Sequence, residues 1–256
     1  MSARELDQFY TKANVVADVL AYINLSFYGT VIEPSFGDGA FVKQIDHPNL
    51  LYIDIDSPDP SHRADFLTYA PTTTGRVLVI GNPPFGKNSS LAVKFFNHAA
   101  TFADTIGFIV PRTFQKNTIK NRLDLNFHLV IETVLPVDSF IFKGEDYAVP
   151  CVWQVWDKQN NPRPKVLKRL QCDAFTFVNR EDDPDIAIRR VGVNAGRIFD
   201  TAVNSRSKQS HHFLKLSENN LKKMRTLGLE TCETKFMTAA NPSLGKSDII
   251  ELWSLE

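Results

Sequence analysis

The sharpest chemical feature of this 256-residue chain is the run Asn82-Pro83-Pro84-Phe85, which directly follows the apolar stretch RVLVIG (76–81). An asparagine side chain offers a carbonyl oxygen, and two consecutive prolines fix the backbone so that the Pro83 carbonyl can point the same way. An exocyclic amine or amide nitrogen that donates both hydrogens to such a pair has its lone pair turned out of conjugation. That makes a weak nucleophile competent to attack a methyl group, while Phe85 can stack on the planar ring that carries it. Asn-Pro-Pro can also end a strand with no further role, but its place after an apolar strand favours the chemical reading. Asn82, Pro83, Pro84 and Phe85 are therefore the catalytic candidates, with Lys87 in the following loop GKNSS as a substrate contact.

A second group lies upstream. EPSFGDGAF (33–41) joins a β-branched run to a turn in which Gly37 and Gly39 let a ligand approach the backbone closely. Glu33, which ends that run, and Asp38 are acceptors for a ligand with a positive or donor-rich end. A dinucleotide fits poorly, because the full GxGxxG spacing is missing and an acid beside the turn repels pyrophosphate. Further on, Asp54 sits where an acid can accept both hydroxyls of a ribose, with Asp56 as its competitor; an acid there can equally cap the next segment. In ADFL (64–67), Asp65 can bond an adenine amino group and Phe66 can cover its ring. Turn acid, ribose acid and adenine acid together describe a nucleoside that carries a positive charge.

The elements that must position these residues follow from periodicity. Val15, Val16, Val19, Leu20 and Ile23 have helical spacing. TVIE (30–33), LLYIDI (50–55), RVLVIG (76–81) and IGFIV (106–110) are strands, and helices are expected from Ala40 and over 90–103. Strands apolar on both faces and separated by helices require a parallel sheet covered on both sides. HLVIETVLPV (128–137) and YAVPCVWQVW (147–156) are separated by too few residues for a helical crossover and suit an antiparallel pair. The expected fold is α/β, a doubly wound, mostly parallel sheet ending in an antiparallel hairpin. The polar, proline-bearing stretch 157–165 marks the boundary between a domain of residues 1–157 and a smaller α+β region, 158–256.

In order, DQFYTK (7–12), EPSFGDGAF, YIDID (52–56), ADFL, NPPF and IGFIVPRTF (106–114) resemble the motifs of S-adenosylmethionine-dependent amino-methyltransferases. Within them the chain is most similar to the adenine-N6 group whose cofactor motifs precede the catalytic motif. The resemblance implies a Rossmann-like methyltransferase fold with S-adenosyl-L-methionine as cofactor. It places Tyr10 and Thr11 near the methionine carboxylate, Glu33, Phe36, Gly37, Asp38 and Gly39 in the main cradle, Asp54 on the ribose, and Asp65 and Phe66 at the adenine. Asn82, Pro83 and Phe85 would hold a flipped target adenine, with Phe142, or else Phe140, completing that pocket. The implied partner is nucleic acid, DNA before RNA. Methylation of RNA adenine or of a protein glutamine amide, and a non-catalytic nucleic-acid-binding subunit, are the alternatives.

Other signals are weaker. Pro150-Cys151 has the residue types of a thiolate site but lies in an apolar strand, where a buried structural thiol is expected. His211-His212 lacks a second cluster of ligands, so no metal is expected. Lys116, Lys120 and Arg122 suit one helical face, solvated or phosphate-tracking. The net charge of zero divides unevenly: residues 1–157 carry 12 Lys and Arg against 17 Asp and Glu, and residues 158–256 carry 17 against 12. A positive C-terminal part suits a polyanion, and Arg189 and Arg190 are its candidate contacts; an oligomerisation element or a brace for the sheet edge is the other reading of that region. Three cysteines without CxxC spacing, no apolar run long enough to span a bilayer and no apolar leader point to a soluble, intracellular protein.

Overall fold

The computed structural model describes residues 9–167, 171–238 and 241–255. The chain divides into two compact units, Met1–Lys165 and Val166–Glu256. The stretch 157–165, expected to separate them, belongs to the first unit: the Arg163 guanidinium donates to the carbonyls of Phe127, Lys120 and Leu123. Asp7 and Gln8 of the first motif lie outside the described residues.

The first unit is built on a six-stranded sheet. Strands β2 (Thr30–Glu33), β3 (Leu50–Tyr52), β4 (Val77–Gly81) and β5 (Thr105–Pro111) run parallel, and β6 (Phe127–Val134) and β9 (Cys151–Lys158) close it antiparallel, in the order β3-β2-β4-β5-β9-β6. Both faces are covered, as wholly apolar central strands demand. Alternate residues of β4 point to opposite sides. Leu78 and Ile80 meet Val15, Val16 and Val19 of helix α1 (Ala13–Leu20), with Trp153 beside them. Val77 and Val79 meet Ala92, Val93 and Phe96 of helix α2 (Ser90–Ala99), with Phe108 and Trp156. Ile119 of the short helix α3 (Asn117–Lys120) packs in the same cluster. Removing one of these aromatics would cost about 3–5 kcal/mol. Gly107 makes the fit possible, since a Cβ there would come within 2.8 Å of the Trp153 ring.

Three expectations fail locally. The helix expected from Ala40 is a series of turns over 37–44, because Gly37 and Gly39 take positive φ (54° and 82°) and His47-Pro48 follows too soon for a helix to propagate. The strand expected to reach Ile55 ends at Tyr52, where Asp54 turns to bridge Arg63. The expected hairpin of strands 128–137 and 147–156 is β6 and β9 with a longer connection, 135–150. Pro136 and Pro150 lie in that connection, and it carries its own small hairpin, β7 (Phe140–Phe142) and β8 (Glu145–Tyr147). Strand β1 (Tyr10–Thr11) pairs antiparallel with β7, which fixes the start of the described chain.

The second unit is α+β. Strands β10 (Phe175–Val178), β11 (Ile186–Arg189), β12 (Ile198–Phe199) and β13 (His211–Leu216) form an antiparallel sheet in the order β10-β13-β11-β12. Helices α4 (Glu218–Thr226) and α5 (Lys246–Ser254) lay Met224, Ile249 and Ile250 on one face, against Phe175, Ile186, Ile188 and Leu214. Helix α4 begins where Ser217 Oγ accepts from Asn220 N–H at 3.3 Å. Helix α5 begins where Asp248 accepts from Gly245 N–H at 2.9 Å.

Candidate active site

The parallel strands reverse direction of progress between β2 and β4, since the chain adds β3 on one side of β2 and then β4 on the other. A crevice at the carboxyl ends of such strands is the ligand position of open α/β sheets. Here it is a cavity of about 570 Å³, large enough for a nucleoside joined to an amino acid. Its walls are the segment Phe9–Thr11, the turn after β2, residues 54–58 and 64–67, Asn82 and Pro84, and Leu91 and Phe95 of α2. Among the described residues five that line it, Glu33, Asp38, Asp54, Asp56 and Asp65, are acids, and none is Lys, Arg or His.

Glu33 ends β2 and is buried at 1 % exposure. Its Oε1 accepts from Ser35 N–H at 3.1 Å. Burial, with Asp54 adding a smaller repulsion, raises its pKa from 4.5 to about 8 against that one stabilising bond. The carboxyl group occupies the space beside Gly81, where any Cβ would overlap both its oxygens. Ser35 Oγ donates to the Asn82 carbonyl at 3.3 Å and so ties the first turn to the one after β4.

Asn82 is oriented from the other side. Its Nδ2 donates to Phe9 O and contacts Thr11 Oγ1, both at 3.2 Å. A backbone carbonyl can only accept, so the amide nitrogen must face Phe9 and the amide oxygen must face away. That oxygen, Oδ1, is buried and has no partner among the described residues; it is the atom that the sequence reading offers as an acceptor. Among the described residues nothing donates to the Pro83 carbonyl either. Phe85 departs from expectation: it is 9 % exposed and packs in the core cluster with Val16 and Ile80, where burying its ring outweighs presenting it to the cavity. Neither it nor Pro83 lines the cavity.

The aromatic beside Asn82 is Phe9, stacked on Tyr147 at 4.8 Å between centroids and tilted against Phe142 at 5.5 Å. Phe142, expected in the target pocket, therefore backs Phe9 and does not line the cavity, and Phe140 is fully buried in the core. Sequence reasoning missed Phe9, Leu91 and Phe95; the i, i+4 spacing of the last two at the start of the helix after NPPF was the available signal.

Asp54 accepts from Gly37 N–H at 3.0 Å through Oδ2 and from Asp56 N–H at 2.8 Å through Oδ1. It holds the glycine turn as well as facing the cavity. Asp65 accepts from Leu67 N–H at 2.9 Å, a cap of the short turn Phe66–Thr68, and Phe66 packs edge-on to His98 and Phe102 while still lining the cavity. Tyr10, Thr11, Phe36, Gly37 and Asp38 line it as expected, whereas Gly39 is buried in the turn, its N–H bonded to Phe36 O at 2.7 Å. Lys87 is exposed in the loop after NPPF and away from the cavity lining. Two residues of that loop, Asn88 and Ser89, take positive φ (54° and 58°), with Ser89 Oγ held 2.7 Å from Thr113 Oγ1. Lys120 pairs with Glu132 at 3.5 Å. Cys151 is buried in β9, where desolvation pushes its thiol well up. Arg189, the last residue of β11, and Arg190, which follows it, belong to the second unit and do not line the cavity.

No family model and no curated protein matches the chain. Solved structures do. A "putative RNA methyltransferase" from Pyrococcus horikoshii is 15 % identical with a TM-score of 0.48, over 61 % of this chain and 89 % of that one. The 23S rRNA methyltransferase ErmE is 16 % identical with a TM-score of 0.44, over 60 % and 71 %. The type I restriction-modification system methyltransferase subunit from Streptococcus thermophilus is 16 % identical with a TM-score of 0.42, over 95 % and 57 %. At these scores the likeness assigns neither activity nor substrate.

Proposed function

We propose that the chain transfers a methyl group from S-adenosyl-L-methionine to the N6 amino group of adenine in DNA. The observation that carries this reading is the joining, in one cavity and among the described residues, of five acids without a cation and an asparagine whose buried oxygen has no partner. The acids suit a ligand that brings its own positive charge, and the asparagine suits a planar amine. The cofactor, when bound, supplies a methyl group made electrophilic by a sulfonium charge.

The chain's own residues do the rest. Glu33 and the turn Phe36–Asp38 hold the cationic end, Asp54 or Asp56 accepts the ribose hydroxyls, and Asp65 and Phe66 take the adenine. Asn82 Oδ1 accepts one hydrogen of the target amine and the carbonyl of the adjacent Pro83, just behind the cavity lining, is the second acceptor, which orients the lone pair; fixed acceptors of this kind act through positioning and electrostatics. Phe9, backed by Tyr147 and Phe142, takes the stacking role that Phe85 cannot fill. The target base must leave its stack to reach this depth. Cys151, sealed in the core as a thiol, takes no part.

Incubation with methyl-labelled cofactor and matched DNA, RNA and protein substrates, followed by nucleoside and peptide mass analysis, tests the proposal. N6-methyladenine in DNA is the expected product. Label confined to RNA or to glutamine would replace the substrate, and no label in any substrate would end the methyl-transfer reading.

A further inference from the structure

The face of the second unit's sheet opposite its helices gathers arginines around a histidine whose pKa burial and the neighbouring Arg189 and Arg206 lower. Arg189 on β11 stands opposite His211 on β13, and its backbone bonds that of Arg197 at the start of β12 (Arg189 N–H to Arg197 O, 2.9 Å). Residues directly opposite in antiparallel strands share a face, so His211, Arg189 and Arg197 form one row. Phe213, Ala187 and Phe199 form the next. From the segment after β12, Arg206 lays its guanidinium over the Phe199 ring, 3.9 Å from the centroid. Arg197 lies 5.5 Å from the same centroid, and so does the His211 ring.

No carboxylate answers this charge. Among the described residues the ion pairs of the unit are Arg180 and Lys208 with Glu181, and Arg225 with Asp200; Arg189, Arg197 and Arg206 have none. Arg189 Nε donates only to Val191 O, at 3.0 Å. Arg206 Nε and His211 Nε2 are buried and without partners. Leaving such groups unmet is costly, and guanidiniums gathered in this way repel one another, so stability does not explain the arrangement.

The row is also held rigid. The turn between β11 and β12 is fixed by the buried Lys235 ammonium, which donates to the carbonyls of Val193, Ala195 and Glu230. Gly196 lies so close to Leu229 O that a Cβ would overlap it. Gly192 N–H donates to Pro242 O at 2.9 Å. Preformed geometry lowers the ordering cost of binding.

We infer that His211, Arg189, Arg197 and Arg206 around Phe199 form a phosphodiester-binding site for the backbone of nucleic acid. A guanidinium stacked on an aromatic ring keeps its planar N–H edge available for phosphate oxygens, a geometry that lysine cannot supply. Arg190, expected as a contact from sequence, is left out: it follows the end of β11 and sits near His212, which pairs with Ile188 of the helix-covered face and whose Nε2 bonds Leu244 O at 2.9 Å. The identity of the polyanion rests on the methyltransferase reading; the anion site itself does not.

The test measures binding of a labelled DNA duplex, an RNA of the same sequence and inorganic phosphate to the full chain across salt concentrations. Arg197→Ala/Arg206→Ala is expected to weaken nucleic-acid binding at least about tenfold and to flatten the log–log salt slope by about 0.9 for each duplex phosphate that the arginines no longer neutralise. Arg190→Ala should leave both unchanged. Should the double variant fail to fold, Arg206→Lys serves, weakening affinity severalfold with the slope kept. Unchanged slopes and affinities on DNA and RNA, with any loss confined to inorganic phosphate, would overturn the site. Unchanged slopes together with intact methyl transfer remove the site and keep the proposed function; flattened slopes with no methyl transfer in the wild type do the reverse.

Discussion

Glu33 and Gly81 share one space: the carboxyl group that ends β2 fills the volume that a side chain on the last residue of β4 would need. Adjacent parallel strands thereby place an acid at the floor of the cavity. Gly81→Ala is expected to displace Glu33, costing about 1–3 kcal/mol of stability through overpacking, and to weaken cofactor binding at least tenfold. Urea melts and calorimetric titration check the two effects, and a variant that binds cofactor as wild type does would show that Glu33 is not seated by this contact.

The raised pKa of Glu33 sets a pH dependence with a definite sign. In the folded chain the group keeps its proton up to about pH 8, whereas in the unfolded chain it ionises near 4.5. The folded state therefore binds more protons between these values, and stability falls as pH rises from about 4.5 to 8 and is level above. The Glu33→Gln variant should lack this fall, so its advantage over wild type should grow across that window to on the order of 5 kcal/mol. Melts of both proteins at pH 4, 6 and 8 that run parallel would rule the effect out.

A cationic ligand reverses the preference by favouring the carboxylate. Binding of S-adenosyl-L-methionine near pH 7 is expected to release a proton from Glu33. Calorimetry in two buffers of different ionisation enthalpy measures that release, and the Glu33→Gln variant isolates it from titration of the ligand itself. Equal proton release by both proteins would assign it elsewhere.

Asn82 has two jobs on its two ends. Oδ1 awaits a donor, while Nδ2 tethers Phe9 and Thr11. Asn82→Ala is expected to lower turnover at least a hundredfold and also to weaken cofactor binding severalfold, since the tethered segment lines the cavity. Thr11→Val, which removes one partner of Nδ2 and leaves Oδ1 in place, should cost less than tenfold in rate. Retention of more than about a tenth of the rate by Asn82→Ala, under roughly 1.4 kcal/mol of barrier, would remove its catalytic role.

Much of this site was legible because strand ends are. TVIE, VLVIG and IGFIV are dominated by apolar, mostly β-branched residues and are buried throughout as strands, so the strand ends at Glu33 and before Asn82 can be read from that pattern. What the sequence hid was set by distant contacts. Phe85 reads as an exposed ring after two prolines, yet a core lined by Val16 and Ile80 claims it. Phe9 becomes a wall only because β1 pairs with β7, about 130 residues away, a register no local pattern contains. The arginine row is invisible for the same reason: Arg189, Arg197, Arg206 and His211 meet only through the pairing of three strands, whereas of the adjacent pair Arg189-Arg190, conspicuous in sequence, only Arg189 lies within β11.

Asp54 decides between a ligand role and a structural one, and the two have separable consequences. Its carboxylate accepts from the N–H groups of Gly37 and Asp56, so it shapes the glycine turn through charge-assisted bonds before it meets any ribose. Asp54→Ala should then lose about 1–3 kcal/mol of stability as both donors go unmet, and should weaken cofactor binding by tenfold or more. Asp54→Asn keeps one acceptor and turns an amide N–H₂ toward one of the two backbone donors, so it should recover part of the stability and little of the affinity. If calorimetry finds cofactor affinity unchanged in Asp54→Ala while the melt shows the loss of stability, Asp54 is a brace for the turn and Asp56, which also lines the cavity, becomes the acid that meets the ribose.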